Sequence, residues 1–130
     1  MPTVVLGYVP KPEGEAALAS AIAEAQLRKA ELVVVNSHRA RHGDANASIE
    51  QELQEVRARV EEAGITVDVR QPETALEASE DLLAIADEVG AELIVIGLRR
   101  RTPVGKLILG SNAQRILLDS HCPVLAVKSD

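Results

Sequence analysis

Gly97 and the run Gly110-Ser111-Asn112 bracket the part of this chain best suited to chemistry. Fourteen residues lie between Gly97 and Asn112, reading Leu98-Arg-Arg-Arg-Thr-Pro-Val-Gly-Lys-Leu-Ile-Leu-Gly-Ser111, and they follow the apolar run Leu93-Ile-Val-Ile96. A glycine-flanked basic connection that ends where a helix begins suits an anion, above all a phosphate. The first helical N–H groups have no partner inside the helix, and guanidinium groups add positive charge. Connections this long in compact domains are commonly functional, and Val104, Leu107, Ile108 and Leu109 are apolar enough to pin this one down. Gly110 and Ser111 also read as a turn and a helix N-cap, a role Ser favours. Cap and phosphate ligand are compatible roles, because both face the same N–H groups. Thr102 and Lys106 read more simply as solvated loop residues.

Other chemistries find less support. His38, His42 and His121 share no metal-ligand spacing with one another or with Cys122, and no Ser, His and Asp set assembles from adjacency. The expectation is a binding protein rather than an enzyme. Cys122, the single cysteine, can form no internal disulfide and reads as a buried structural thiol. A net charge of −6 argues against general nucleic-acid binding, and with Tyr8 as the only aromatic residue there is no stacking platform for single strands. The charge is uneven, however: residues 97–130 carry a net +4 against −10 for residues 1–96, which makes the C-terminal third the place for an anion. The triple-Arg run 99–101 taken alone would pass for a solvated face. No apolar run is long enough to cross a bilayer and the N-terminus lacks a signal-peptide pattern, so a cytoplasmic protein of one domain, residues 1–130, is expected.

Five strands and four helices would position these residues. Thr3–Tyr8, Leu32–Asn36, Thr66–Arg70, Leu93–Gly97 and Val124–Lys128 have strand length and are rich in Val and Ile. All but the third are nearly continuous in hydrophobicity, as strands covered on both faces are, which predicts a parallel sheet. Leu18, Ala21, Ile22 and Ala25 recur at helical spacing, as do Ile49, Leu53, Val56 and Val60, and then Leu82, Ile85, Ala86 and Val89. Gly64 and Gly90 stand where the second and third helices need a left-handed C-terminal residue. Strand–helix alternation gives right-handed βαβ units and a doubly wound, three-layer, five-stranded α/β sandwich. Ligands bind such sheets at the carboxyl ends of the strands where strand order reverses, and the loop after the fourth strand lies at that edge. Ser37–Ser48 is the other long connection and reads as a surface loop.

These residues resemble the universal stress protein family over essentially the whole chain. The resemblance is most specific in Leu93-Ile-Val-Ile-Gly97, the long loop, Gly110-Ser111-Asn112-Ala113 and Cys122-Pro-Val-Leu-Ala-Val-Lys128. Glu13-Gly-Glu-Ala-Ala-Leu18 and the Pro72 to Leu76 stretch share it. The family's ATP-binding members carry Gly, two residues, Gly, nine residues, then Gly and Ser or Thr. Gly97, Gly110 and Ser111 match, Arg100 holds the place of the middle glycine, and Val9 stands where those members place an Asp at the end of the first strand. Arg100 would either narrow the backbone's approach to a phosphate or replace lost contacts with a bidentate guanidinium. The resemblance implies a Rossmann-like fold of the adenine nucleotide alpha hydrolase kind and a stress-response protein that binds ATP or AMP in a regulatory role. Gly97, Arg100, Gly110, Ser111, Asn112 and Ala113 would surround phosphates and ribose, with Tyr8, Val9 and Ser37 around the base. It also implies a homodimer through the final strand, Val124, Leu125, Ala126 and Val127, at a sheet edge. A second reading is a member that binds no nucleotide and acts as an interaction module or takes another anion.

Overall fold

Side-chain alternation along the strands sorts the apolar residues of this chain onto two faces of one sheet, and each face is covered by two helices. A computed structural model describes residues 2–36, 46–72, 77–98 and 110–129, without the side chains of residues 46–49. Its elements are β1 (Thr3–Tyr8), α1 (Pro12–Arg28), β2 (Glu31–Asn36), α2 (Asn46–Glu62), β3 (Val67–Arg70), α3 (Ala78–Val89), β4 (Leu93–Leu98), α4 (Ser111–Asp119) and β5 (Val124–Lys128). All strand pairings are parallel and the order is β3-β2-β1-β4-β5. The chain therefore winds outward from β1 to β3, returns to the far side of β1 with β4, and ends at the opposite edge. Because right-handed crossovers run in opposite directions before and after that return, their helices fall on opposite faces.

Val4 and Leu6 of β1, Leu32 and Val34 of β2, and Leu93 and Val95 of β4 pack with Ala17, Leu18, Ala21 and Ala25 of α1 and Leu53, Val56 and Val60 of α2. The alternate residues Val5, Val33, Val35, Ile94 and Ile96 pack with Leu82 and Ala86 of α3 and Ile116 of α4. The parallel α/β sandwich expected from the sequence is the fold observed. The strand bounds differ by a residue at three ends, with β2 beginning at Glu31, β3 at Val67 and β4 reaching Leu98.

Gly64 and Gly90 have φ of +80° and +64°, as their places after α2 and α3 require. After α1 the left-handed residue is Lys29, φ 53°, whose N–H reaches the carbonyls of Ala25 and Gln26. No glycine marks that cap in the sequence. β5 has neighbours on both faces, Leu125 and Val127 on one and Val124 and Ala126 on the other, but is only half-buried because it lies at the edge of the sheet. Cys122 is likewise half-buried, against the α3/α4 face, with its N–H donating to the Ser120 hydroxyl at 3.1 Å. No helix among the described residues is long and apolar enough to cross a membrane.

Candidate functional site

The reversal of strand order between β1 and β4 leaves a gap at their carboxyl ends, and a cavity of about 310 Å³ lies there. That volume is at the small end of the roughly 300–1,000 Å³ typical of small-molecule sites. Gly7 and Val9 from the end of β1, Ile96 and Leu98 from β4, Leu82 of α3 and Ile116 of α4 give it an apolar floor. Polar groups come from Lys11 and Glu13 at the start of α1, Ser79 of α3, and Ser111 and Asn112 at the start of α4.

The first turn of α1 reaches this place because two residues lack a β-carbon. A β-carbon on Gly14 would overlap the Val9 carbonyl, and one on Gly97 would overlap the Glu13 carbonyl. The helix thus starts directly on the ends of β1 and β4. Between Val9 and the helix the chain turns tightly, the Lys11 N–H donating to the Val9 carbonyl at 2.8 Å. Gly97 also lines the cavity, so its absent side chain serves both helix packing and open space.

At the other wall, α4 opens into the cavity with Gly110 as its N-cap in extended conformation and Ser111 as its first helical residue. The cap is Gly110 rather than Ser111, and no side chain among the described residues caps this end. Its first turn also holds no acidic residue, whereas α1 has Glu13 and Glu15 there and α3 has Glu80 and Asp81. Both the partial positive charge and the free N–H groups of α4 are consequently available to an anion. Asn112 has a structural task as well: its Oδ1 accepts a hydrogen bond from the Ser79 N–H in the first turn of α3 at 3.3 Å.

The cavity therefore gathers Val9, Gly97, Gly110, Ser111, Asn112 and Ala113 from the residues expected at a nucleotide site. Ser37 and Arg100 lie outside the described residues. Tyr8 is elsewhere. Alternation along β1 points Gly7 and Val9 toward the α3/α4 side and Tyr8 toward α1 and α2, where it is buried in the other cluster. Its hydroxyl donates to Glu15 Oε1 at 3.0 Å, and Arg59 donates to Glu15 Oε2 at 2.6 Å. Arg59 holds the Glu15 carboxyl below its ordinary range, while burial and the bond to Glu15 push the Tyr8 phenol up. Tyr8 braces α1 against α2 and lines a separate cavity of about 390 Å³.

Sequence reasoning missed Glu13, Lys11 and Ser79 as cavity residues. Glu13 is the notable one, since it is buried and its Oε1 has no hydrogen-bond partner among the described residues. An acid in the first turn of a helix is ordinarily explained by the helix dipole, which hid it. Of the histidines, His121 pairs with Asp87 at the surface at 3.0 Å, and the Asp87 bond raises its pKa; His38 and His42 lie outside the described residues. Among the described residues no group of three His, Cys, Asp or Glu side chains is placed to hold a metal.

Residues 1–128 match the universal stress protein family. The chain belongs to that family. A universal stress protein of Mycolicibacterium smegmatis is 44% identical over 126 residues, covering 96% of each chain. Among solved structures, the universal stress protein from Archaeoglobus fulgidus in complex with dAMP is 27% identical with a TM-score of 0.75, covering 98% of each chain. A universal stress protein in complex with cAMP is 26% identical with a TM-score of 0.76, covering 99% of this chain and 98% of that one. The sandwich described above is the universal stress protein fold, and its sheet reversal carries the cavity.

Proposed function

We propose that this chain binds an adenine nucleotide, ATP or AMP, with its phosphate at the N-terminus of α4 and its nucleoside in the cavity between β1 and β4. The observation that carries the reading is the start of α4, which opens into the cavity with no acidic residue in its first turn and no capping side chain among the described residues. Gly110, Ser111, Asn112 and Ala113 would hold the phosphate through backbone N–H groups and the Ser111 hydroxyl. Lys11, exposed at the same cavity, adds a positive charge. Relatives with dAMP and with cAMP support an adenine nucleotide as the ligand class. The role is regulatory binding rather than catalysis, in line with the apolar Val9 at the end of β1. The same reading includes a homodimer through Val124, Leu125, Ala126 and Val127 of β5.

Ser111→Asp tests it. A carboxylate at the first helical position suits the helix dipole, so α4 should persist, while the negative charge opposes a bound phosphate. Calorimetric titration with ATP and AMP should show at least tenfold weaker binding than wild type, at an unchanged or higher melting temperature. Protein purified without added nucleotide should release some on denaturation. A wild-type chain that releases none and gives no heat with either ligand overturns the proposal and favours the interaction-module reading.

A further inference from the structure

Glu13 is 6% exposed in the wall of the cavity between β1 and β4, and its Oε1 lacks a hydrogen-bond partner among the described residues. Burying a carboxylate oxygen with no donor is unfavourable, so a chain that keeps one there either accepts the cost or expects a donor from elsewhere. The helix dipole accounts for an acid in the first turn of α1 but not for its burial. Glu15 enjoys the same dipole while exposed, and it is fully engaged with Tyr8 and Arg59. The packing of Gly14 on Val9 and of Glu13 on Gly97 fixes the backbone that carries Glu13 at the reversal of strand order. Val9, Ile96 and Leu98 of the same cavity carry no side-chain donor, and its donors Lys11, Ser79, Ser111 and Asn112 make no hydrogen bond to this oxygen.

We infer that Glu13 reads the nucleoside half of the bound nucleotide, its carboxylate accepting a hydrogen bond from a neutral donor of the ligand, and is thereby a specificity-determining residue. This rests on the nucleotide reading above. The donor belongs to the nucleoside because a phosphate would repel the carboxylate, whereas ribose hydroxyls and the 6-amino group of adenine are uncharged donors. An acidic side chain at the carboxyl end of a strand is a known way to hold a ribose hydroxyl in doubly wound sheets. In this chain the carboxylate comes from the first turn of α1 rather than from the end of β1, where Val9 stands.

Glu13→Met keeps an unbranched side chain of similar length and removes the acceptor; Glu13→Gln keeps an acceptor oxygen without the charge. Calorimetry would compare AMP with 2′-deoxy-AMP, 3′-deoxy-AMP and inosine monophosphate on the wild type and both variants. The wild type should prefer AMP about tenfold or more over the analogue lacking the donor that Glu13 accepts, the scale of a hydrogen bond to a charged group. A deoxy analogue losing affinity assigns the sugar, and inosine monophosphate losing it assigns the base. Glu13→Met should lose that preference and weaken AMP binding by a similar factor, Glu13→Gln should be intermediate, and ligand-free melting temperatures should stay level or rise. A fall in melting temperature with AMP affinity and analogue ranking intact would make Glu13 structural and overturn the inference. Ser111→Asp abolishing binding while Glu13→Met leaves it unchanged would sink this inference alone, whereas a wild type without nucleotide affinity sinks both.

Discussion

Tyr8, Glu15 and Arg59 show how one residue's chemistry is set by the two beside it. The phenol is buried and its hydroxyl needs an acceptor, which Glu15 supplies, and Glu15 stays ionised because Arg59 donates to its other oxygen. Glu15 ionises at lower pH when folded than when unfolded, so its interactions stabilise the fold above its ordinary pKa of 4.5 and are lost as pH falls through the lower folded value. The Tyr8 phenol shifts the other way. Its contribution is present below the ordinary value of 10.0 and is lost as pH rises above it. Glu15→Gln should therefore be less stable than wild type at neutral pH by about 0.5–1 kcal/mol, a figure kept small because the ion pair is half-exposed, and the gap should close as pH drops below 4.5. Tyr8→Phe should flatten the alkaline limb. Urea midpoints across a pH series would check both, and equal acid limbs for wild type and Glu15→Gln would contradict the assignment.

At the scale of elements, the decisive contact is the first turn of α1 against the ends of β1 and β4. Backbone meets backbone there, so an added methyl cannot be absorbed by a rotamer change. Gly97→Ala should push the Glu13 carbonyl away and destabilise the fold by about 1–3 kcal/mol, the usual scale of overpacking. Lys11 and Glu13 ride on the same turn, so nucleotide affinity should fall together with the melting temperature. Thermal melts and a binding titration on one preparation would test the link. An unchanged melting temperature would mean that α1 does not depend on this contact.

At the scale of the whole molecule, β5 presents an edge of the sheet on which it pairs with β4 and with no other described strand. Val124, Leu125, Ala126 and Val127 are half-buried in the single chain, and an open ladder flanked by apolar side chains favours pairing with another chain. The homodimer proposed above would close that ladder about a two-fold axis, the commonest symmetry of such assemblies. Leu125→Lys should shift sedimentation from dimer to monomer, with circular dichroism confirming that the sheet is retained. A wild-type chain already monomeric at concentrations on the order of tens of micromolar would remove the proposal.

The sequence by itself determined the number, order and kind of the elements, because long Val- and Ile-rich runs, helical stripes such as Leu18, Ala21 and Ala25, and the caps at Gly64 and Gly90 are local signals. It also pointed to Gly110, Ser111 and Asn112, through a glycine-flanked basic loop that ends where a helix begins, and the family resemblance added Ala113. Alternation along β1 separates Tyr8 from Gly7 and Val9 in the sequence as well. Which parity faces the cavity depends on where the chain crosses back past β1, and that is a property of the strand order. Gly97 reads from sequence as a glycine beside a phosphate, and the tertiary structure adds a second role, the seat of α1 on its missing side chain. Glu13 needed the tertiary structure most of all. A first-turn acid is exposed and unremarkable on an isolated helix, and only the docking of α1 against the ends of β1 and β4 buries this side chain, leaves its Oε1 without a partner among the described residues and sets the residue in the wall of a cavity.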